Sequence, residues 1–399
     1  MQCVILAAGE GKRMRPLTAH RPKVMLPLAN RPMLEYLVVA ARDAGIHEMV
    51  FVVGYGEREI RRHFKDGSAW DVQIQYTVQR NQRGTADALN AARNHITGRF
   101  LLLNGDMVIE TGDIAALCAR EPPCVGLFPS THPEDYGVVM VEGDTVISLE
   151  EKTDRPETNI VNAGIYLFDP DIFTLAGAIR PSARGELELT DALRVMIQDK
   201  RLSAYHLSSW LDIGSPWDML DANKTLLETL TSNNEGIIED GVVLQGTVAI
   251  GAGTVVKAGS YIEGPCIIGK DCRIGPHAYI RGASAIGDRC HIGHCTELKN
   301  SIIMEDTRAP HFTYIGDSVI GRRCNFGAGT KIANLRHDHG IVMAGGRSTG
   351  REKFGAIVGD DVQFGINCSV NVGAIIGNNV RISPHSLIEG VIDDNSQVR

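Results

Sequence analysis

With 399 residues, a net charge of −8 and acidic and basic side chains intermixed, the chain has room for two or three domains. It lacks the basic surface that extended nucleic-acid binding needs. Nine cysteines, an odd number with no zinc-type CxxC pair, point to buried thiols in a reducing compartment rather than to a disulfide framework. The opening MQCVILAAGEGKR is too short and too glycine-broken for a secretory leader, and no apolar run reaches membrane-spanning length. A cytoplasmic enzyme that binds neither nucleic acid nor membrane is expected.

Residues 2–8 form a short apolar run, the mark of a buried parallel strand, that ends in the turn Gly9-Glu10-Gly11-Lys12-Arg13. Glycine amides in a tight turn can wrap phosphate oxygens, with Lys12 and Arg13 adding charge. Taken alone, such a turn is equally a plain structural one. It lacks the third glycine of a dinucleotide fingerprint and is no Walker A loop. Residues 32–44 have helical spacing and stop at Gly45; 48–53 read as a buried strand, 57–64 as a helix, 72–78 as a strand, 85–95 as a helix and 100–104 as a strand. This alternation predicts an α/β fold with ligands beyond the carboxyl ends of a mixed, mostly parallel sheet. Gly9 to Arg13, Gly84-Thr85 and Gly105-Asp106 fall on such ends. Residues 216–232 have the apolar spacing of a linker helix, and a polar hinge follows. The expected division is 1–232, including that helix, and 233–399.

From Ile238 a period of six takes over. Ile238, Leu244, Ile250, Val256, Ile262, Ile268, Ile274, Ile280, Ile286, Ile292 and Leu298 form one column, with Met304 as its one departure. Four residues after each aliphatic comes a small residue: Val242, Val248, Thr254, Ser260, Cys266, Cys272, Ala278, Ser284, Cys290 and Thr296. A six-residue period fits neither a helix nor a two-faced strand. It fits a triangular coil with one hexad per side and three hexads per turn. The register slips near Pro310, resumes at Ile320 and Phe326, breaks over 335–354 and returns from Val358 to Ile388. His277, His291 and His294 fall on different hexad phases, so they read as surface residues rather than as metal ligands.

The segment from Leu6 to Thr18, followed by Arg21-Pro22-Lys23 and Leu26-Pro27, resembles the signature of the sugar-1-phosphate nucleotidylyltransferases. Further matches arrive in family order: Gln79 and Gln82 to Ala88, Leu103 to Asp106, Tyr136 to Val139, Leu149 to Lys152, Asn162 to Ile165, Glu188 to Asp191 and Trp210 to Gly214. The resemblance implies a Rossmann-like nucleotidyltransferase domain. There a sugar-1-phosphate oxygen attacks the α-phosphate of a nucleoside triphosphate and pyrophosphate leaves, so the protein's task is alignment and charge neutralisation. It implies that Leu6, Ala8, Gly9, Gly11, Gln79, Gly84 and Thr85 bind the nucleotide and that Arg13 and Lys23 act on its phosphates. Gly105, Gly137, Glu151, Lys152 and Asn162 would hold the sugar phosphate, and Asp106 and Asp212 Mg²⁺. Asp212 matches the thymidylyltransferases, whereas the segment from Gln79 to Thr85 matches the uridylyltransferases. UTP and dTTP both stay open.

The second part, over roughly 274–372, resembles the acetyltransferase half of the bifunctional N-acetylglucosamine-1-phosphate uridylyltransferase/glucosamine-1-phosphate N-acetyltransferases. The carriers are His311 to Tyr314, Asn325 to Thr330, Asn334, and Lys353-Phe354 ahead of Val358-Gly359-Asp360-Asp361-Val362, with Arg281 and Lys299 upstream. The resemblance implies a left-handed parallel β-helix of hexapeptide repeats. In it His311 would be the base, since acetyl transfer must take a proton from the attacking amine. Arg281, Lys299, Tyr314, Asn325, Asn334 and Lys353 would bind the amino-sugar-1-phosphate, and backbone around Ala328, Ile366 and Ala374 would take acetyl-CoA. The loop 335–354 is longer than its bacterial counterpart and adds Arg347 and Arg351, alternative grips for the cofactor's phosphates. Long enzymes of this kind are similar to archaeal versions, and such coils associate as homotrimers or higher homo-oligomers. The expected function is synthesis of UDP-N-acetylglucosamine at two sites. The alternative is a single-activity glucose-1-phosphate thymidylyl- or uridylyltransferase whose coil is structural or regulatory.

Overall fold

The computed structural model describes residues 1–182 and 185–399. They divide into two compact units. Unit 1 comprises Met1–Glu10, Arg21–Met25 and Pro32–Asp212, and unit 2 comprises Gly11–His20, Leu26–Arg31 and Ile213–Arg399.

Unit 1 centres on a nine-stranded sheet. Its strands are β1 (Gln2–Ala7), β2 (Glu48–Val53), β3 (Gln73–Val78), β4 (Phe100–Asn104), β6 (Cys124–Pro129), β7 (Gly137–Glu142), β8 (Thr145–Glu151), β9 (Ile160–Phe168) and β10 (Ser203–His206). A two-stranded ribbon of β5 (Met107–Ile109) and β11 (Trp210–Asp212) stands apart from it. The order in the sheet is β3-β2-β1-β4-β9-β6-β10-β8-β7. Only β8 and β9 run against the rest. β1 is branched and aliphatic because it is covered on both faces. Cys3, Ile5 and Ala7 join one core cluster with α1 (Met33–Asp43), α2 (Glu57–Phe64) and α4 (Thr111–Cys118). Val4 and Ala8 join another with α3 (Thr85–Ala91), α5 (Ile172–Ala178) and α6 (Leu189–Gln198). The chain leaves β1 to form β2 on one side and later β4 on the other, so the end of β1 is a topological switch point.

The helix expected over 85–95 is shorter. It stops at Ala91, and a 3₁₀ turn, Arg93–His95, follows. The tighter turn delivers the His95 carbonyl to the Gln2 side-chain amide at 3.0 Å.

Unit 2 is a coil of three parallel sheets. Strands succeed one another at 18-residue intervals, as in Val248↔Cys266, Val255↔Arg273 and Val243↔Tyr261. The aliphatic column from Ile250 to Leu298 is buried inside it. The small column does more than make room. Thr254 Oγ1 donates to the Gly269 carbonyl at 2.7 Å and Thr296 Oγ1 to Ala309 at 3.0 Å. The Cys272, Cys324 and Cys368 thiols do the same to Gly287, Gly359 and Ser383 at 3.1 to 3.2 Å. All but Ala309 are corner carbonyls that take no backbone N–H, so the column selects small donors as well as small volume. Burial pushes the Cys324 thiol up to about 12.

The slip is not near Pro310 but earlier. Ile286 pairs with Ile303 and Ile292 with Ala309, each 17 residues on. One residue is lost at the corner Lys299-Asn300-Ser301, where Asn300 takes φ 43°, so Ile303 rather than Met304 enters the column. A second short corner, Gly316-Asp317-Ser318, follows, because Ile303 pairs with Ile320, again 17 on. At the next turn the same corner opens into the loop 335–354, whose base closes where the Phe354 N–H donates to Asn334 O at 3.0 Å.

Cys324→Ser should keep the donor to Gly359, and Cys324→Val should remove it at nearly constant volume. The valine variant is expected to lose about 1–3 kcal/mol in urea unfolding and the serine variant distinctly less. Equal midpoints for the two would show that only size matters in this column.

Candidate active sites

The first site is built at the ends of β1 and β4. Gly105 N–H donates to Leu6 O at 2.9 Å, and a Cβ at Gly105 would stand 2.6 Å from that oxygen. Only glycine lets the two strand ends approach this closely. The approach sets Asp106 at the mouth of the switch point, where Lys23 Nζ reaches its Oδ2 at 2.6 Å. The Lys23 side chain is only 9% exposed, so its ammonium is aimed by packing. β11 pairs antiparallel with β5, matching Asp212 to Met107. That register brings Asp212 beside the residue after Asp106, and Tyr136 Oη donates to its Oδ2 at 3.0 Å. Among the described residues no group of three or more His, Cys, Asp or Glu side chains is placed to hold a metal. Two carboxylates at neighbouring strand ends nonetheless suit Mg²⁺, which keeps several waters and takes its remaining ligands from substrate phosphates.

Gln79 and Gly84 form one knot. Gln79 Nε2 donates to Gly84 O and to Asp87 Oδ2, both at 3.0 Å. Gly84 sits at φ 118° against Leu187, and Thr85 Oγ1 accepts from the N–H of Leu189 at 2.9 Å. Gln79 is buried, so its amide shapes this turn. Gln82, not among the expected site residues, ties the turn back to β1 through Ala8 O at 2.9 Å.

The residues expected at the sugar phosphate come together across three strands. β7 and β8 register Gly137 with Glu151, and Asn162 lies beside Gly137. Asn162 is oriented at both ends, donating to Tyr166 Oη at 2.9 Å and accepting from Gly164 N at 3.0 Å. Burial is the main cause that holds the Tyr166 phenol well above its usual value, so it stays a neutral partner. Exposed Lys152 takes φ 51° and donates its N–H to Tyr136 O at 2.9 Å. Gly9 belongs to unit 1 and has open space around its Cβ position. Gly11 and Arg13 belong to unit 2, where Gly11 at φ 66° opens a single 3₁₀ turn, Lys12–Met14.

The second site occupies the irregular edge of the coil. Asp317, 3% exposed, receives Lys299 Nζ at 3.0 Å, Asn300 Nδ2 at 2.7 Å and Asn334 Nδ2 at 2.5 Å. The two short corners and the neck of the loop are thus tied by one carboxylate. Asn334 also bonds Tyr314, whose phenol is raised by burial first and by Asp317 second. A Cβ on Gly316 would lie 2.5 Å from Tyr314 Oη and 2.7 Å from Asn334 Nδ2. Arg281 lies one turn before Lys299 and pairs with Glu297 at 3.2 Å. Lys353 bridges to Leu335 at the loop neck. Asp317 was missed in sequence because a buried aspartate in Ile-Gly-Asp reads as an ordinary corner residue. The signal that could have found it is the five-residue step from Ile315 to Ile320.

His311, Ala328 and Ile366 stand elsewhere, at the stacked corner that leads into the strand Tyr314–Gly316, whereas Asn325 lies before that corner, three residues ahead of Ala328. His311 is exposed and registers with His294, and its carbonyl accepts from Gly329 N at 3.2 Å. Asn325 bridges Arg308 and Gln363 on neighbouring turns. Ile366 is exposed, whereas the Ala374 side chain is buried inside the coil, leaving only backbone for a ligand. Arg347 and Arg351 are engaged with the helix side of the loop: Arg351 pairs with Asp221 at 2.7 Å, and Arg347 lies over the Trp217 ring at 4.7 Å.

A nucleotidyltransferase sheet ending in these carboxylates and a hexad coil with its own polar site define a two-part enzyme. The profile of the family described as Nucleotidyl transferase matches residues 2–229, and that of the GMPPB C-terminal domain matches 262–393. A protein of Methanococcus maripaludis named Bifunctional protein GlmU is 43% identical over 100% of this chain and 97% of its own. One of the same name from Methanocaldococcus jannaschii is 39% identical at the same coverage. A protein of Sulfurisphaera tokodaii named bifunctional sugar-1-phosphate nucleotidylyltransferase/acetyltransferase is 38% identical over 97% of each. A crystal structure from Bacillus anthracis, titled as a glucose-1-phosphate thymidylyltransferase in complex with a sucrose, superposes with a TM-score of 0.53 at 26% identity. It covers 59% of this chain and 98% of that one. The chain belongs to the nucleotidyl transferase family and, over its whole length, to its bifunctional nucleotidylyltransferase/acetyltransferase enzymes.

Asp317→Asn keeps the shape of the knot and removes its charge. Weakening charge-assisted bonds to Lys299 by about 2 kcal/mol is expected to lower acetyl-transfer kcat/KM roughly thirtyfold, with pyrophosphate release unchanged. Steady-state assays of both activities check this.

Proposed function

We propose that the chain makes UDP-N-acetylglucosamine in two steps, acetylating glucosamine-1-phosphate in the coil and coupling the product to UTP in the first domain. The observation that carries this reading is the knot of Lys299, Asp317 and Asn334 at three successive irregular corners. A scaffold coil has no use for a buried carboxylate that fixes an ammonium and an amide at its surface. Relatives matching end to end and bearing bifunctional names support it.

In the coil, Arg281 and Lys299 hold the sugar phosphate, and Tyr314, Asn325, Asn334 and Lys353 orient the sugar. The amine nitrogen attacks the thioester carbonyl of acetyl-CoA and its proton passes to His311; as the C–S bond breaks, His311 gives that proton to the sulfur and CoA leaves as the thiol. The turns at Ala328, Ile366 and Ala374 contact the cofactor. The hexad pattern and the 18-residue pairing support a left-handed β-helix, and such a prism suits a homotrimer. The division at 232/233 is supported by the family match over 2–229, although the compact units part after Asp212.

In the first domain, Asp106 and Asp212 hold Mg²⁺, which supplies charge neutralisation to the phosphates. Lys23, already aimed by packing, contacts the α-phosphate; Gly9, Gly11 and Arg13 hold the leaving pyrophosphate. Gln79, Gly84 and Thr85 shape the base site. Gly137, Glu151, Lys152 and Asn162 grip the acetylated sugar phosphate.

Wild-type enzyme with acetyl-CoA and glucosamine-1-phosphate is expected to release CoA thiol, and His311→Ala to slow this by about 10²–10⁴-fold. Asp106→Ala should abolish pyrophosphate release and spare thiol release. A wild type that turns over UTP or dTTP but never releases thiol would leave a single-activity nucleotidylyltransferase. Substituting galactosamine-1-phosphate and dTTP in the same assays reads the epimer and the base.

A further inference from the structure

Unit 2 contains the segment Gly11–His20 as well as the coil. Within this unit the excluded loop does not hang free. Arg351 Nη1 reaches Asp221 Oδ2 at 2.7 Å and Trp217 O at 3.4 Å, and Phe354 meets the Trp217 ring edge-on at 6.1 Å. The loop is thereby fastened to the start of α7 (Asp218–Glu228). From that base Arg347 extends across the Trp217 ring, 4.7 Å from its centre, and donates to Ser215 Oγ at 3.4 Å. Its other Nη reaches the carbonyl oxygen of Arg13 at 3.1 Å.

That carbonyl belongs to the glycine-led turn. The turn is one short 3₁₀ loop, closed by Met14 N–H to Gly11 O at 2.9 Å and Arg15 N–H to Lys12 O at 3.2 Å. Lys12 and Arg13 are exposed. A single 3₁₀ turn led by glycine has little intrinsic stability. Its far side is held by the buried Asn378, whose Nδ2 donates to Pro16 O at 3.2 Å. Its near side is held by Thr18 Oγ1, which donates to Gly11 O at 2.9 Å. Arg347 adds a tie on the charged part of the turn, at the Arg13 carbonyl. Burial and the neighbouring Arg13 charge both lower its pKa. Two guanidiniums kept close at a cost are a configuration that a polyphosphate between or beside them relieves.

We propose that Arg347, a residue of the acetyltransferase coil's excluded loop, is a positioning residue for nucleotidyl transfer, fixing the Gly11 to Arg13 turn through the Arg13 carbonyl. It rests on the reading that this turn holds the triphosphate. It gives the longer loop a task outside acetyl transfer: Lys353 serves the coil's site, and Arg347, six residues earlier, serves the other activity. The two activities thereby share one loop.

The test uses full-length enzyme, with hydrogen exchange read by mass spectrometry and kinetics in parallel. In Arg347→Ala the amides of Met14 and Arg15 are expected to exchange at least about tenfold faster, while peptides around Ile292 keep wild-type protection and report an intact coil. The KM for UTP should rise about five- to tenfold, as loss of one charge-assisted bond predicts. Thiol-release kinetics should stay within about twofold of wild type, since that activity does not use the turn. Arg347→Lys, which keeps the charge without the planar fork, should restore KM only in part. Exchange at Met14 and Arg15 within twofold of wild type overturns the proposal, as does faster exchange with an unchanged KM. A wild type that releases no pyrophosphate from any nucleotide overturns the reading of the turn instead, and exchange separates the two failures.

Discussion

In a parallel coil each turn finds most partners for its backbone N–H and C=O groups in the turns before and after it. A deletion in one turn therefore cannot be absorbed locally. The residue lost at Lys299-Asn300-Ser301 has to be matched at the stacked corner Gly316-Asp317-Ser318, or Val319 and Ile320 would be out of register with Ile302 and Ile303. Stacking converts a one-residue irregularity into a column of irregular corners. That column is where the polar residues can stand without breaking the apolar interior, because a shortened corner draws side chains inward from the surface. Asp317 is buried for this reason, and the Lys299 and Asn334 side chains are held by it.

The first unit obeys a different constraint with a similar result. Its central strands β1, β2 and β4 are buried on both faces, so they offer no mid-strand side chain to a ligand. Chemistry is pushed to the ends, and the approach of Gly105 to Leu6 decides how near those ends come. Both units thus separate a rigid apolar part from a polar margin, in one case at the strand ends and in the other at the coil's corners.

Much of this was readable in the residues. Strands 48–53 and 100–104 and the helix 57–64 stand where hydrophobic pattern places them, since each is bounded by a glycine or polar break. The hexad column is long enough to be unmistakable. The location of the slip was not readable: Ile302, Ile303 and Met304 are three apolar residues in a row, and pattern alone favours Met304 because six follows six. Only pairing reveals that Ile303 entered the column. Asp317 was hidden for a related cause, since burial of a carboxylate depends on what three distant residues supply. The destination of Arg347 was hidden too, because a loop's length says nothing about what it lies against.

The small column has a consequence for the chemistry of the whole chain. Eight of the nine cysteines are buried and Cys295 alone is exposed. Inside the coil Cys272, Cys290, Cys324 and Cys368 act as weak donors to backbone carbonyls, a role that threonines take in the same column. Burial raises the pKa of these coil thiols, so almost none is present as the nucleophilic thiolate. Toward an alkylating reagent or a mild oxidant the folded protein therefore behaves as if it carried one sulfhydryl. A cysteine-rich sequence becomes, once coiled, a nearly thiol-silent surface with a single natural attachment point for a spectroscopic label.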